Sequence, residues 1–321
     1  HERRFAGANP RFATCTGVVW TRPDRLVVAH KLSRTFVTYA VTPTADSLTV
    51  EPVARTPELP GVGLITNVAV SPDGHWLVFG DDTLHRVAIH ASDPATGGPR
   101  EIAAAVVSFP GDGILHGVVF SPDGRHLVHS SIDGGVGGLR ITPFAGDPTT
   151  GTVTTGPVRA TPNPYAPSAL KGLDFSPDGR FLVLSHGGNV GAESTRSRIP
   201  GFVEIRPWDA EAGEVGSPVA RSPKSWGLGG GEDVTWLASG DRILVSDQFH
   251  DQALIVECDP ASGALGSVVA RIGWTAGGLS APHGCAQSPD GRWLAITNYG
   301  DGACRFFDLA DPAAKGAANP V

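Results

Sequence analysis

Short apolar runs alternate with turn residues along the whole chain, and one turn recurs without change. Ser-Pro-Asp-Gly occurs at residues 71–74, 121–124, 176–179 and 288–291, and an apolar run follows each copy. Proline presets φ at the second position of such a turn, and glycine takes the left-handed conformation that closes it. Because apolar β-formers flank every copy, each copy predicts a β-hairpin.

The spacing of the turns predicts a repeat architecture. The copies begin at residues 71, 121, 176 and 288, so they are 50, 55 and 112 residues apart. The last gap spans two repeats and contains a degenerate turn at 238–241, and another degenerate turn lies at 21–24. Six units of about fifty residues, each with four short apolar runs, are typical of a β-propeller. We therefore predict an all-β fold over residues 1–321, a single propeller domain with six four-stranded blades.

The two ends of the chain suggest how the ring closes. The last unit shows three apolar runs and then Ala-, Gly- and Pro-rich sequence, while an additional segment, residues 3–14, precedes the first unit. Ring closure hides sheet edges that would otherwise be exposed. We expect the N-terminal segment to supply the outer strand of the last blade.

Composition narrows the class of protein. The 42 glycines and 27 prolines suit many tight turns, and 40% hydrophobic residues suffice for a core. A net charge of −7 without a basic run argues against a nucleic-acid partner. No apolar stretch reaches the length of a membrane span. We expect a soluble protein, either cytoplasmic or secreted after removal of a signal peptide, since the chain begins at His1.

A longer motif surrounds the last Ser-Pro-Asp-Gly copy. It reads Pro-His-Gly-Cys-Ala-Gln from Pro282 and Thr-Asn-Tyr-Gly-Asp from Thr297. This motif resembles the signature of lactonase-type β-propellers, which include 6-phosphogluconolactonase-like and YVTN-repeat proteins. The resemblance implies lactone chemistry, either hydrolysis or the reverse ring closure on a carboxylate. Because that family typically has seven blades, seven is the alternative to the six counted here.

Two rings of polar residues mark the candidate site. In a propeller the Ser-Pro-Asp-Gly turns lie at the bottom, so residues before the first strand and after the second converge at the top opening, where ligand sites usually lie. Positions are counted from the first aliphatic residue of each second strand, such as Leu26. Eleven residues earlier lie Cys15, Thr66, His116, Lys171, Glu232 and His283. Four residues later lie His30, Asp81, Ser131, His186, Asp247 and Asn298.

The first ring contains an acid, a base and a cation. We predict His116 or His283 as general base or acid, Lys171 as the group that stabilises a developing oxyanion, and Glu232 as the group that orients or completes proton transfer. Cys15 is a nucleophile only if a base lies beside it, and we expect it to be inert. The four cysteines show no metal-finger spacing and are expected to be buried free thiols.

The remaining polar positions are predicted to bind the substrate. From the rings these are His30, Thr66, Asp81, Ser131, His186, Asp247 and Asn298. Arg196 lies in a long glycine-rich connection after His186, where it can reach an anionic substrate as part of a lid. Trp226 and Tyr299 are expected near the opening, because aromatic residues there suit a ligand with a flat or apolar face.

No cofactor is predicted. The ring histidines come from different units, and no HxH or HExxH motif fixes two ligands together, so zinc is not indicated. The alternative is a calcium ion on the propeller axis with Glu232, Asp247 and Asn298 as oxygen ligands. That alternative rests on an analogy of blade number with six-bladed gluconolactonase-like and paraoxonase-like propellers.

The sequence therefore predicts an enzyme that acts on a small anionic or lactone-containing molecule by acid/base catalysis in the top-face funnel. A biosynthetic cyclase or lyase with other chemistry is one alternative. A non-enzymatic propeller that binds a ligand or a protein is the other. The oligomeric state stays open.

Overall fold

The computed structural model describes residues 14–44, 47–109, 113–132, 138–165, 168–189, 200–273, 278–310 and 317–319. Over these residues the secondary structure consists of β-strands and one short 3-10 helix, Lys224–Trp226, without an α-helix. No helix in these ranges has the length and apolar character needed to cross a membrane. The strands form six antiparallel sheets, which confirms the six-bladed propeller.

The strands are numbered in chain order, and the blades follow the same order. Blade 1 contains β1 (Cys15–Arg22), β2 (Arg25–His30), β3 (Thr35–Pro43) and β4 (Leu48–Arg55). Blade 2 contains β5 (Ile65–Val70), β6 (Trp76–Asp81), β7 (Arg86–Ser92) and β8 (Pro99–Ser108). Blade 3 contains β9 (Ile114–Phe120), β10 (His126–Ile132), β11 (Gly138–Asp147), β12 (Thr152–Thr155) and β13 (Arg159–Pro162).

Blade 4 contains β14 (Ser168–Phe175), β15 (Phe181–Asn189), β16 (Phe202–Asp209), β17 (Glu214–Val215) and β18 (Ala220–Arg221). Blade 5 contains β19 (Gly231–Trp236), β20 (Arg242–Asp247), β21 (Gln252–Cys258) and β22 (Leu265–Ile272). Blade 6 contains β23 (Pro282–Gln287), β24 (Trp293–Asn298), β25 (Cys304–Asp308) and β26 (Ala317–Asn319). In blades 3 and 4 two short strands pair with the same third strand, so the outer strand is interrupted.

The Ser-Pro-Asp-Gly turns connect the first and second strands as predicted. In the copy of blade 3, the Ser121 hydroxyl donates to Asp123 Oδ1 at 2.6 Å and accepts the backbone N–H of His126 at 2.9 Å. Asp123 Oδ1 also accepts the backbone N–H of Arg125 at 3.0 Å. Gly124 has a φ of 70°, a conformation that favours glycine over any residue with a Cβ. Serine, aspartate and glycine therefore each have a separate role in closing the turn.

The hydrophobic core is divided among the six interfaces between neighbouring blades. One cluster of buried apolar residues lies at each interface. Leu77 packs towards blade 1 and Val78 packs towards blade 3, because successive side chains of a strand point to opposite faces of the sheet. The interface between blades 6 and 1 has a cluster of the same kind, which contains Val18 and Phe306. The ring is therefore closed by side-chain packing.

The predicted closure by an N-terminal strand is wrong for the outer position of the last blade. That position is held by β26, which is hydrogen-bonded to β25 with Cys304 opposite Asn319. The small residues of β26 carry no apolar alternation, so the sequence pattern did not mark them as a strand. Residues 1–13 of the segment that was expected there lie outside the described residues.

Candidate active site

A cavity of about 340 Å³ opens where the first strands of the blades begin and the second strands end. This end of the propeller lies opposite the Ser-Pro-Asp-Gly turns, as the repeat predicted. All six blades contribute to its lining, which comprises Lys31, Asp82, Ile114, His116, Ile132, Ala169, Lys171, Gly187, Glu232, Gln248, Phe249, His283 and Tyr299. A cavity of this size suits a small molecule.

A β-bulge places a side chain from each first strand at the cavity end of the channel. In every blade the pairing of the first two strands shifts register, so that two residues of the first strand oppose one residue of the second. The first bulged residues of blades 1 to 6 are Thr16, Thr66, His116, Lys171, Glu232 and His283. The bulge is therefore the local structure that re-aims the acid, the bases and the cation.

In blades 3 and 6 the second bulged residue is glycine, because neighbouring first strands approach each other closely there. A Cβ added at Gly117 would lie 2.4 Å from the carbonyl oxygen of Lys171. One added at Gly284 would lie 2.4 Å from the carbonyl oxygen of Thr16. Glycine is required at both positions because the backbone of the next blade occupies the space of a side chain.

Hydroxyl groups opposite the bulge fix its backbone in blades 3 to 6. Ser130 and Thr297 accept the N–H of Gly117 and Gly284 at 2.8 Å, and Ser246 accepts the N–H of Asp233 at 2.9 Å. Ser185 does the same in blade 4 for the glycine after Lys171. Three of these hydroxyls also donate to the next blade: Ser130 to the Lys171 carbonyl, Ser246 to the His283 carbonyl and Thr297 to the Thr16 carbonyl. The hydroxyls therefore hold the bulged residues of adjacent blades in register.

The bulged residues of blades 3, 4 and 6 converge on the carboxylate of Glu232, the bulged residue of blade 5. Its Oε1 lies 2.8 Å from His116 Nε2 and 3.1 Å from His283 Nε2, and its Oε2 contacts Lys171 Nζ. The two imidazole rings are stacked at 5.2 Å. We call His116, Lys171, Glu232 and His283 the Glu232 cluster. His116, Lys171 and Glu232 come from three different blades, so the contacts among them form only in the closed ring.

The charges of this cluster follow from its burial. Burial opposes ionisation of Glu232, but Lys171 and the two histidines outweigh it and hold the pKa of the Glu232 carboxyl well below its usual range. Burial lowers the pKa of His116 to about 4, against the opposite effect of Glu232. At neutral pH the carboxylate is ionised and can only accept hydrogen bonds, so His116 donates from Nε2, while His283 Nε2 lies 3.1 Å from the same oxygen. The Nδ1 atoms of both rings have no partner among the described residues.

The other two residues of the first predicted ring, Cys15 and Thr66, are not among the described residues that line the cavity. The Thr66 hydroxyl donates to the carbonyl oxygen of Gly80 at 3.3 Å. Cys15 is buried, its Sγ donates to the carbonyl oxygen of Gly302 at 3.1 Å, and burial raises its pKa to about 12, so the thiol is inert. The turn of blade 1 is one residue shorter than the others, so a count of eleven reaches Cys15 instead of the bulged residue Thr16.

The residues of the second predicted ring are buried beside the described cavity lining and are not part of it. Asp81, Asp247 and Asn298 each accept backbone N–H groups from the loop before the first strand: Asp81 from Gly63, Asp247 from Gly229 and Gly230, and Asn298 from Ser280. His186 contacts Glu204 at 3.3 Å, and His30 lies beside Cys15. Ser131 is fully buried in β10. Asp81, Asp247 and Asn298 therefore shape the loops around the opening.

The residue after each member of the second ring faces the cavity. These residues are Lys31, Asp82, Ile132, Gly187, Gln248 and Tyr299, one from each blade. Side chains alternate along a strand, so a shift of one residue exchanges the cavity side for the opposite side. Sequence reasoning missed Lys31, Asp82 and Gln248 because the residue before each of them is polar in all six blades and drew attention instead. The signal that identifies them is the strand alternation: side chains that point to the cavity side can be counted from the apolar residues in the middle of the second strand.

Of the two aromatic residues predicted near the opening, Tyr299 lies at the cavity and Trp226 does not. Tyr299 lines the cavity and stacks on His283 with ring centroids 6.0 Å apart. Trp226 is buried in the core between blades 4 and 5, where its carbonyl accepts a hydrogen bond from Arg271. Arg196 lies outside the described residues.

Among the described residues, one group could hold a metal ion. It consists of His116, Glu232 and His283, whose ligand atoms lie within 4.8 Å of one another. Such nitrogen and oxygen donors suit zinc. Oε1 of Glu232, however, accepts a hydrogen bond from His116 and lies 3.1 Å from His283 Nε2, and the Lys171 ammonium contacts Oε2. The oxygens expected to bind calcium at Asp247 and Asn298 accept N–H groups of the loops. The donors fit a hydrogen-bonded cluster better than either metal.

Comparison with known proteins identifies the fold. No protein-family model and no curated protein matches the chain. Among solved structures it is similar to the periplasmic gluconolactonase of Pseudomonas aeruginosa, with 20% identity over 89% of this chain and 73% of that one and a TM-score of 0.56. Putative 6-phosphogluconolactonases of Bacteroides fragilis and Bacteroides uniformis are both 16% identical. They cover 95% and 94% of this chain and 82% of their own, with TM-scores of 0.60 and 0.62. The resemblance to lactonase-type propellers is confirmed as a likeness of fold.

Proposed function

We propose that this protein is a metal-independent lactone hydrolase, and that the Glu232 cluster carries the chemistry. The observation that supports the proposal most strongly is the buried Glu232 carboxylate in contact with two histidines and a lysine at a cavity for a small molecule. The names of the structural neighbours, a gluconolactonase and putative 6-phosphogluconolactonases, agree with it.

Each member of the cluster has one role in the proposed reaction. Glu232 contacts both imidazole rings and Lys171 and is a weak base, so it serves to orient these three groups. His116 is weakly basic because of its lowered pKa, so we assign general-base catalysis to His283. Lys171, with a side chain that is 18% exposed, is the cation for the developing oxyanion.

The steps balance without a further reactant. His283 accepts a proton from water at Nε2, where the neighbouring Glu232 carboxylate stabilises the resulting imidazolium, while the water oxygen attacks the lactone carbonyl carbon. The negative charge on the carbonyl oxygen of the tetrahedral intermediate is stabilised by Lys171. The ring C–O bond then breaks, and the proton on His283 passes to the departing alkoxide. The product is a hydroxy acid, and the same groups catalyse lactonisation in the reverse direction.

The test is lactone hydrolysis measured in a pH-stat above the spontaneous rate, with D-glucono-1,5-lactone as the first substrate. Glu232→Gln should lower kcat by about 10³-fold or more, because the neutral amide donates hydrogen bonds as well as accepting them and no longer fixes both imidazole rings. Asp233→Asn is the matched control, since Asp233 is the next residue of the same bulge and its Oδ2 accepts the backbone N–H of Cys285 instead of facing the cavity. Equal rates for wild type and Glu232→Gln would refute the proposal.

A further inference from the structure

A second ion pair lies in the same cavity, on the side of blades 1 and 2. Lys31 Nζ is 2.6 Å from Asp82 Oδ2, and the two side chains are 19% and 8% exposed. Each residue directly follows the second strand of its blade. Their backbone N–H groups donate to the carbonyl oxygens of Thr14 and Leu64 at 2.9 and 3.0 Å. The pair is therefore held by the scaffold.

Asp82 has an unused hydrogen-bond acceptor in this setting. Its Oδ2 is paired with Lys31, but its Oδ1 is buried and has no partner among the described residues. A buried carboxylate oxygen that lacks a donor is costly, and rotation of the Asp82 carboxyl group towards a hydroxyl group in the cavity would relieve that cost. The ammonium of Lys31 beside it can donate to the same hydroxyl oxygen, so the pair offers both halves of a hydroxyl-binding site.

The charges of the cavity are balanced pairwise. The charged residues of its described lining are Lys31, Asp82, Lys171 and Glu232, and each lysine contacts one of the carboxylates. An anionic substituent would have to compete with a carboxylate for either cation and would meet that carboxylate at close range. The desolvation cost of such a group would therefore be poorly repaid in this cavity.

We propose that the Lys31–Asp82 pair is a subsite for a hydroxyl group of an uncharged, hydroxylated lactone, and that the paired charges disfavour phosphorylated or carboxylated substrates. This inference rests on the proposed lactone hydrolysis for its substrate class. It favours the lactone part of the sequence-based prediction over the anionic part.

The subsite is tested by calorimetric titration with an unreactive probe, D-glucono-1,5-lactam, and with the 6-phosphate of that lactam. The wild-type chain should bind the lactam at least tenfold more tightly than its phosphate. Asp82→Asn should weaken lactam binding about tenfold and should narrow or reverse the preference, because Lys31 then lacks its carboxylate. Asp24→Asn, which removes the carboxylate of the Asp24–Arg25 ion pair at the opposite end of the strands, should change neither affinity.

A second variant keeps the test decisive if Asp82→Asn proves unstable in a thermal melt. Lys31→Gln should also weaken lactam binding, but it leaves Asp82 unpaired and should disfavour the phosphate further. The two variants therefore move the charge preference in opposite directions. The proposal is overturned if the lactam does not bind, if wild type prefers the phosphate, or if either variant that folds binds the lactam as wild type does.

The probe also separates this proposal from the proposed function. The lactam is not hydrolysed, so its binding does not depend on the Glu232 cluster acting as a catalyst. Lactone hydrolysis that is unaffected in Asp82→Asn, with unchanged lactam affinity, would overturn the subsite alone. Selective lactam binding without any lactone hydrolysis would overturn the proposed activity and retain the subsite.

Discussion

Blades 1 and 2 differ from blades 3 to 6 at equivalent positions of the same repeat. The bulged residue is threonine in blades 1 and 2, whereas it is histidine, lysine, glutamate and histidine in blades 3 to 6. The position opposite the bulge is Ala29 or Gly80 in the first two blades and a hydroxyl residue in the other four. One backbone design therefore carries two kinds of site.

The hydroxyls occur where a titratable side chain is placed. In blades 3, 5 and 6 they connect the bulge to the carbonyl of the next first strand, so the atoms of the Glu232 cluster are positioned by hydrogen bonds around the ring. In blades 1 and 2 the polar residues of the cavity, Lys31 and Asp82, lie instead at the ends of second strands. The comparison suggests that blades 3 to 6 perform the chemistry and blades 1 and 2 bind the substrate.

After that of Glu232→Gln, the largest expected effect concerns the cation of the Glu232 cluster. Lys171→Met should lower kcat for lactone hydrolysis by about 10²- to 10³-fold, because the developing oxyanion loses its charged partner. Lys224→Met, at an exposed position of the 3-10 helix, is the control and should behave as wild type. Steady-state kinetics of both variants check this, and a Lys171→Met enzyme with an unchanged kcat would contradict the assigned role.

A smaller effect is expected for the hydroxyls as positioning residues. Ser246→Ala should reduce kcat about tenfold with little change in KM, because the hydrogen bond to the His283 carbonyl and the support of the bulge are lost. Ser246→Thr should restore the rate, since Thr297 performs the same role in blade 6. A merely structural role would lower the melting temperature of Ser246→Ala and leave the kcat of the folded enzyme unchanged.

His129 provides a contrast within blade 3, because it is a buried histidine outside the cavity. Its ring packs against Phe109 in a tilted arrangement with centroids 4.2 Å apart, neither ring nitrogen has a partner among the described residues, and burial lowers its pKa to about 3. Below about pH 6.5 His129 is protonated in the unfolded chain but not in the folded chain. His129 therefore lowers the free energy of unfolding by an amount that grows as the pH falls from about 6.5 towards 3.

His129→Leu should therefore raise the free energy of unfolding at pH 4 by up to about 3 kcal/mol, with a much smaller change at pH 8. Urea unfolding at the two pH values measures the difference. Lactone hydrolysis at pH 8 should be unchanged. A stability gain that is equal at both pH values would show that protonation of His129 is not the cause.

The smallest effect is expected from metal removal. Dialysis against EDTA should leave kcat within about twofold of its starting value, since the Glu232 carboxylate is already in contact with Lys171 and both histidines. Addition of zinc should inhibit by competing for both histidines, and addition of calcium should have no effect. A loss of activity in EDTA that zinc restores would replace the hydrogen-bonded cluster with a metal site at the same residues.

The fold was predictable because the Ser-Pro-Asp-Gly turn has a local cause that needs no tertiary contact. The Glu232 cluster was also predictable, since a fixed distance from that turn leads to the same bulge in five blades. Cys15 was misplaced by a turn one residue shorter. The second ring was misplaced by one residue, and because side chains alternate along a strand, that shift moves each side chain from the cavity side to the opposite side.

Other features depend on contacts that a sequence pattern does not encode. The outer strand of blade 6, β26, is defined by its pairing with β25 and not by apolar residues. The pairing of Lys31 with Asp82 joins the ends of two second strands about fifty residues apart, and it forms because blades 1 and 2 are neighbours. The sharing of one carboxylate by His116, His283 and Lys171 likewise requires the closed ring.

The division of the cavity into two functional halves is tested most directly by steady-state kinetics of Glu232→Gln and Asp82→Asn with the same lactone. We expect Glu232→Gln to lower kcat by about 10³-fold with KM changed less than threefold. We expect Asp82→Asn to raise KM about tenfold with kcat changed less than threefold. The same pattern of kcat and KM in both variants would contradict the division between catalytic and binding blades.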